Sequence, residues 1–594
     1  MLYKLVIFEF GNLSYFHSFS FTFLLIMAIL IANIGTSDLA IKIDDFYIPI
    51  GFDRKEPNID DSGLNGNEEL VWEQELRRSY IAEYLCPELG VNVDKGRFSF
   101  RELTQKILEA YQKDEETWHQ RIRPGRIWGV IKSAMSPNFQ VREAYIFVTD
   151  QPETEKDGYP SDSIYLFDIL SKWFGREIPN LRLKKEVIPK HIAANKQDPL
   201  LNHYYHFFNK ISRDDTVLIS IKGGTPQMQT ALKMQAIASG LPKQLFIDPR
   251  LSIKKVLAGE ASECELTSYW QYIRTQKYQT VKLLLEERWD FDGSQQILKD
   301  WNKVLNFLIK EKVAKKHDVS DSQIKLEKVI QGLDIGIHHM NLDYESTSKQ
   351  NNPQLSLDKT FLGWITSQGD EKLLNLYTQC RIYWDINQIA NFLARMSSFY
   401  EATLERLIVV LDGKKYFRED KSLDIPLVRQ EMGEMLWKNF YDDQKQYNPK
   451  LRDYYINSQP VKLDNRFAKL NFIEKLLIPH RHIDSKHWDL IFKSLQSLDF
   501  WAEQRNNLIH YSTGISKQRM QDLWNEGDKK KDYKVKLACQ PGKIREVMAD
   551  ICKSELELVR EECQQQFVGR NADFYLYSDI RKWVLQQLRE DSEM

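Results

Sequence analysis

Two nucleotide-binding signatures are missing from this chain. Gly-x-Gly-x-x-Gly does not follow its first apolar run, and Gly-x4-Gly-Lys-Ser/Thr occurs nowhere. Their absence argues against a dinucleotide-dependent metabolic enzyme and a P-loop NTPase. Charge of one sign is also scarce: 82 basic and 84 acidic residues leave a net charge of −2. Proteins that coat nucleic acid without regard to sequence show a basic excess, so a nucleic-acid substrate would have to meet a local site. Cysteine is sparse, six in 594 residues with no Cys-x-x-Cys pair, which excludes a zinc ribbon or dithiol motif. Scattered thiols in a large chain fit a reducing cytoplasm, the expected location.

Long hydrophobic runs are absent too. The longest near the N-terminus, Phe23 to Ala32, is about ten residues, short of the roughly 20 a spanning helix needs. Phe21 to Ile34 therefore reads in three ways: a signal h-region, a membrane span, or a buried strand. Lys4 accompanied by Glu9 makes a poor n-region. The stretch Met27 to Asp38 reads well as a first buried strand ending in a polar turn. On the preferred reading Met27 is the initiator and residues 1–26 are an extension from an upstream start codon; a targeting or anchoring segment is the alternative. No stable membrane partner is expected.

What is present is enough apolar (42%) and aromatic (12%) content to fill several cores. A rough 150 residues per domain gives about four. From Met27 to about residue 265, short apolar runs alternate with helical patterns. Ala28–Ile34, Ala144–Val148, Val187–Ile188, Thr216–Ile221 and Leu245–Ile247, the last, read as strands, and Leu39–Ile50 as a hairpin-like excursion. Asn67–Leu85, Phe98–Tyr111, Ser161–Phe174, Leu200–Ile211 and Gln229–Ser239 read as helices. This alternation predicts a parallel, Rossmann-like sheet, whose ligands bind beyond the carboxyl ends of the strands. Past about 265 the strand signals stop and amphipathic helices take over: Tyr269–Glu287, Ser294–Glu311, Ser320–Gln331, Gln388–Leu411, Lys486–His510 and Gly542–Gln566. Gly332–Lys359 and Asp412–Asp424 read as loops. The fold class expected is α/β followed by all-α.

The most telling stretch is Lys222-Gly223-Gly224-Thr225-Pro226-Gln227-Met228, between an apolar strand and a helix start. Pro226 suits the first helical position, where its missing N–H costs nothing. Strand, glycine turn and helix start together make a site for a phosphate or another anion. Gly35-Thr36-Ser37-Asp38 ends the first strand in the same way, and Thr149-Asp150-Gln151 is a third turn. For Thr225, a plain helix N-cap remains an alternative to a ligand donor; Met228 reads as packing, and Asp150 and Gln151 as pocket rim or turn formers.

The helical half carries one chemical constellation, Arg505-Asn506-Asn507-Leu508-Ile509-His510, before the stop signals Ser512-Thr513-Gly514. Asn506 and His510, four apart, share a helix face. Arg505 lies roughly 140° from His510 at about 100° per residue. One straight helix therefore does not aim both at one atom: it must end or kink near His510, or a second copy must complete the site. A cation for phosphate and an imidazole near neutral pKa suffice to cleave RNA, which brings its own 2′-hydroxyl, so no metal is needed. The alternative is a histidine favoured by the helix-end dipole. Arg481 and His487 form a second such pair by chance, across a loop.

Taken together, these stretches resemble the CARF–HEPN ribonucleases of type III CRISPR systems. Ile31 to Asp38 is similar to the first strand and loop of the CARF domain. Ile219 to Met228 is similar to that family's Gly-Thr-Pro-Gln-Met signature. Arg505 to His510 matches the HEPN signature Arg-x4–6-His, with Asn506 at its often polar first variable position. The resemblance implies a CARF sensor domain over 27–265, a helical linker over 266–385 and a HEPN ribonuclease domain over 386–594.

It further implies a homodimer that binds a cyclic tetra- or hexa-adenylate as allosteric activator and cuts single-stranded RNA, with no cofactor. Gly35, Thr36, Ser37, Asp38, Gly223, Gly224, Thr225 and Gln227 would meet the ring, and Thr36 or Thr225 would help any ring cleavage. Arg505, His510 and Asn506 would form the composite catalytic site. A ring sensor whose helical half is catalytically silent and acts through a protein or DNA partner is the second reading. The longer tail after His510, with Lys529-Lys530-Lys531, departs from a bare HEPN core.

Overall fold

The computed structural model describes residues 28–51, 59–349, 372–447, 461–478, 485–511, 515–529, 533–554, 558 and 574–593. Residues 1–26, expected to be an extension, and Met27, the expected initiator, lie outside them. The chain divides into two compact units, residues 1–273 with 303–319, and residues 274–302 with 320–594. Among the described residues no helix is long and apolar enough to cross a membrane.

The first unit is built on strands β1 (Ala28–Asn33), β2 (Ala40–Ile43), β3 (Phe46–Pro49), β4 (Ile59–Asp60), β5 (Ile122–Arg123), β6 (Glu143–Thr149), β7 (Arg182–Ile188), β8 (Thr216–Ser220), β9 (Gln244–Ser252) and β10 (Glu263–Thr267). The main sheet runs β10-β9-β8-β1-β6-β7, with β4 beside β9; all neighbours are parallel except β9 and β10. β2, β3 and β5 form a small antiparallel sheet.

Every residue of β1 is buried. A central strand covered on both faces needs such an unbroken apolar run. Its helices include α1 (Gly66–Trp72), α2 (Gln74–Ser79), α3 (Phe100–Lys113), α4 (Gly125–Ala134), α5 (Ile164–Glu177), α6 (Gln197–Phe208) and α7 (Pro226–Ala238). One core cluster joins Ile29, Ile31, Phe147, Val217 and Ile219 of the sheet to Tyr204, Phe207, Met228 and Leu232 of α6 and α7.

The strand order sets the position of the site. From β1 the chain crosses to β6 on one side, and from β8 it moves to β9 on the other. A crevice therefore opens at the carboxyl ends of β1 and β8, where their following loops diverge; this is the topological switch point of an open parallel sheet.

The second unit is helical. Its central helices are α8 (Lys372–Asp385), α9 (Ile389–Val410), α10 (Arg466–Leu477), α11 (Ser485–Tyr511), α12 (Ile544–Cys552) and α13 (Tyr575–Ser592). The unit's core is tied by a buried polar network. The Tyr577 hydroxyl donates to Asn375 Oδ1 at 2.6 Å, and Gln379 Nε2 donates to the Tyr577 oxygen at 3.2 Å and to the His339 carbonyl at 3.1 Å. Asp591, also buried, accepts from Tyr278 at 2.7 Å and from Ser322 at 2.8 Å.

Three expectations are corrected. Leu245–Ile247 is not the last strand: β9 is longer and β10 follows it, antiparallel. The helix expected over Asn67–Leu85 breaks at Glu73, whose ψ of 133° is extended. Gly332–Lys359 is not a loop in its described part, because a helix runs unbroken over Lys316–Met340 and another covers Tyr344–Lys349. Leu333 and Ile335 are fully buried there, and that burial outweighs the ~1 kcal/mol a mid-helix glycine costs. The helix expected over Gly542–Gln566 is described only as far as Cys552.

Tyr577→Phe is expected to lower the unfolding free energy by about 1 kcal/mol, because it deletes the buried hydroxyl that donates to Asn375 Oδ1 and accepts from Gln379 Nε2, while Gln379 Nε2 still donates to Asn375 Oδ1 at 3.1 Å. Urea denaturation followed by tryptophan fluorescence measures this, and an unchanged transition contradicts the network.

Candidate functional site

The crevice at the switch point contains a cavity of about 360 Å³. Ile34, Gly35 and Thr36 line it from the end of β1, and Gly224, Thr225 and Met228 from the turn between β8 and α7. Thr149, Gln151 and Ser163 come from the end of β6 and the start of α5, and Ala194 and Asn195 from the loop before α6.

The two strand-end turns touch. A Cβ on Gly35 would lie 2.8 Å from the Gly224 nitrogen. Gly223 has φ of 108°, and a Cβ there would stand 2.3 Å from the Asn33 carbonyl oxygen. Only glycine tolerates both the positive φ and the approach.

Thr225 caps α7: its hydroxyl accepts from the Met228 N–H at 3.2 Å and donates to the Ala194 carbonyl. Pro226 occupies the first turn. The N–H groups of Gly224 and Thr225 meet no protein acceptor among the described residues and remain available to a ligand. Two buried polar atoms behind the turns, Asn33 Nδ2 and Ser220 Oγ, also lack a protein partner. Asn33 is held by its other side-chain atom, which accepts from the Tyr204 hydroxyl at 2.7 Å.

The far wall is a rigid polar frame. The Gln151 amide donates to the Ile192 carbonyl and accepts from the Ala194 N–H, each at 3.1 Å. Asp162 accepts from the Gln151 N–H and from Arg101, both at 2.7 Å. Burial raises the Asp162 carboxyl, and its hydrogen bonds and Arg101 pull it back. Arg101 also pairs with Asp150 at 2.9 Å. Thr149 and Ser163 exchange backbone-to-hydroxyl bonds of 3.1 and 3.2 Å.

The residues singled out from sequence separate into two sets. Gly35, Thr36, Gly224 and Thr225 come together on the cavity, with Gln151 and Met228. Gly223 sits behind the turn, and Ser37 and Gln227 are half-exposed outside the cavity lining. Asp38 is turned inward. It is 1% exposed and accepts from the N–H groups of Gly35 at 2.8 Å and Ile127 at 3.0 Å and from the Arg126 guanidinium at 2.9 Å. Its role in this structure is to hold the loop. Sequence reading missed Asp162, Ser163, Ala194 and Asn195, which arrive from loops without a glycine turn.

In the second unit, α11 is continuous from Ser485 to Tyr511. Trp501 and Ala502, both fully buried, seat it, and Trp501 Nε1 donates to the Cys539 carbonyl at 2.9 Å. Arg505 is half-buried one turn further on. The backbones of Asn506 and His510 are helical, but their side chains lie outside the described residues, as do Ser512-Thr513-Gly514, Arg481 and the side chain of His487. With the helix unbroken through His510, positions 505 and 510 stay roughly 140° apart.

No family model matches the chain, and no curated protein matches it. Among solved structures it is similar to Enterococcus italicus Csm6 bound to cyclic hexa-2′-fluoro-hexa-dAMP, with 12% identity and a TM-score of 0.44, over 94% of this chain and 100% of that one.

Asp38→Ala is expected to destabilise the first unit by about 3 kcal/mol, since it leaves the Arg126 guanidinium buried without its carboxylate. A lowered chemical-denaturation midpoint checks this. Stability equal to that of the wild type would contradict the structural role of Asp38.

Proposed function

We propose that this chain is a ligand-switched endoribonuclease of the CARF–HEPN kind, acting in CRISPR antiviral defence. The observation that carries the reading is the crevice between β1 and β8, where the Gly35–Thr36 and Gly224–Thr225 turns meet over a cavity with free backbone donors. That is the place and the chemistry a nucleotide phosphate needs on a parallel sheet. The ligand proposed is a cyclic tetra- or hexa-adenylate shared by the sensor domains of a homodimer.

The catalytic half of the proposal rests on Arg505 and His510. Because an unbroken α11 keeps positions 505 and 510 on different faces, two copies of the chain are proposed to contribute one composite site. There the 2′-oxygen of the RNA attacks the adjacent phosphorus, and its proton is taken up as the bond forms. The P–O5′ bond breaks, the departing oxygen gains a proton, and the products carry a 2′,3′-cyclic phosphate and a 5′-hydroxyl. His510 would serve in proton transfer or fix the attacking hydroxyl, and Arg505 would stabilise charge on the phosphorane. Asn506, one turn from His510 on the same face, would orient it or the substrate.

Activation requires that the ring bind the cutting arrangement more tightly than the resting one. A swing from 1:99 to 99:1 needs about a 10⁴-fold preference.

The test is cleavage of labelled single-stranded RNA in EDTA, with and without cyclic tetra- or hexa-adenylate. Ring-dependent cutting is expected, falling by about 10²-fold or more in His510→Ala, the range for a lost proton-transfer group. Equal cutting by mutant and wild type rejects the site, and cutting indifferent to either ring rejects the switch.

A further inference from the structure

The cavity at the switch point has an electrostatic gap. Its rim carries Glu155 and Asp157, and Asp162 stands in its wall, yet among the described residues no lysine or arginine lines it. The nearby Lys222 is already paired, at 3.5 Å from Asp248. Backbone donors alone would face a ligand with one negative charge per phosphodiester.

A second cavity, of about 440 Å³, supplies what the first lacks. Thr36 lines both. The walls of the second bring together Arg77 and Arg78 of α2 with Arg97 of the loop before α3, and among the described residues no carboxylate lines it. Among the described residues neither Arg78 nor Arg97 makes an ion pair, and both are exposed to solvent. Arg77 is buried and stacks over the Trp72 ring at 4.3 Å, which fixes its guanidinium. Ile81 and Phe98 add apolar wall.

Arg78 and Arg97, brought to one cavity without an ion pair among the described residues, disfavour one another, and a phosphodiester relieves this with bidentate hydrogen bonds. Phe98 adds a ring face for a base or ribose.

We infer that the arginine cavity is a phosphodiester subsite for the same nucleotide ligand, one linkage beyond the nucleotide held at Gly224, with Thr36 between the two. The inference rests on the proposed cyclic adenylate reading and extends it. The glycine turns locate the ligand and exclude bulk by their close approach, and the arginines provide the charge neutralisation. Affinity then depends on residues far from the signature motif.

Binding of fluorescent cyclic tetra-adenylate and cyclic hexa-adenylate to the full chain tests this. The proteins are wild type, the double variant Arg78→Gln/Arg97→Gln and, as a control on the same unit, Arg213→Gln at an exposed site elsewhere. Both cavity arginines are exposed, so the double variant should fold; unchanged melting confirms that. Whichever ring the wild type binds is expected to bind the double variant at least about tenfold more weakly, the effect of losing a hydrogen bond to a charged group. Its affinity should also depend less steeply on salt, and the control should match wild type. If the double variant binds within about twofold of wild type, less than one lost charged hydrogen bond, the subsite is rejected while the switch stands. If the wild type binds neither ring, the ring reading falls and the subsite with it.

Discussion

The buried carboxylate of Asp38 holds the crevice between β1 and β8 together. It accepts from Gly35, Ile127 and Arg126 at once, so the loop after β1 is pinned to the start of α4. The same Arg126 guanidinium would lie 3.0 Å from a Cβ on Gly223. One ion pair thus sets the height of both strand-end turns, and Gly35 and Gly224 meet because neither has a side chain to keep them apart. A buried pair of this kind adds little net stability when all its bonds are made and costs several kcal/mol when one partner is removed. Its value lies in fixing a single loop geometry, which a cavity made of backbone donors requires.

The helical unit solves a different problem. Its core contains amides, hydroxyls and a carboxylate far from water, and each is stable only while its partners remain. Asn375, Gln379 and Tyr577 lock α8 to α13, and Asp591 gathers Tyr278 and Ser322. Such networks favour discrete packings over gradual deformation, a property suited to a unit that must hold a long helix such as α11 steady.

The parallel strands, the helices flanking them and the Gly-Gly-Thr-Pro turn were legible because each is written in consecutive residues: an apolar run, a periodicity of 3.6, a proline at the first helical position. β10 was not, since Glu-Cys-Glu-Leu-Thr carries two charges, as an edge strand tolerates and a buried one does not. The break at Glu73 and the continuation through Gly332 depend on tertiary burial, which overrides local preference. Asp38 looked like a pocket residue because the loop around it is polar; its inward turn depends on Arg126, 88 positions away in the chain. The arginine cavity is likewise invisible in sequence, because residues 36, 77, 78 and 97 share no local pattern and meet only when the small sheet and α2 are in place.

The position of Thr36 constrains how such a protein can diverge. It lines two chambers of different electrical character, one whose described lining includes three carboxylates and one whose described lining includes three guanidinium groups. The glycine at 51 crowds it, since a Cβ there would fall 2.1 Å from the threonine hydroxyl. Enlarging residue 36 to suit one chamber narrows the other, and shrinking it merges them. A side chain at 51 therefore requires a smaller one at 36, so the two positions are free to change only as a pair.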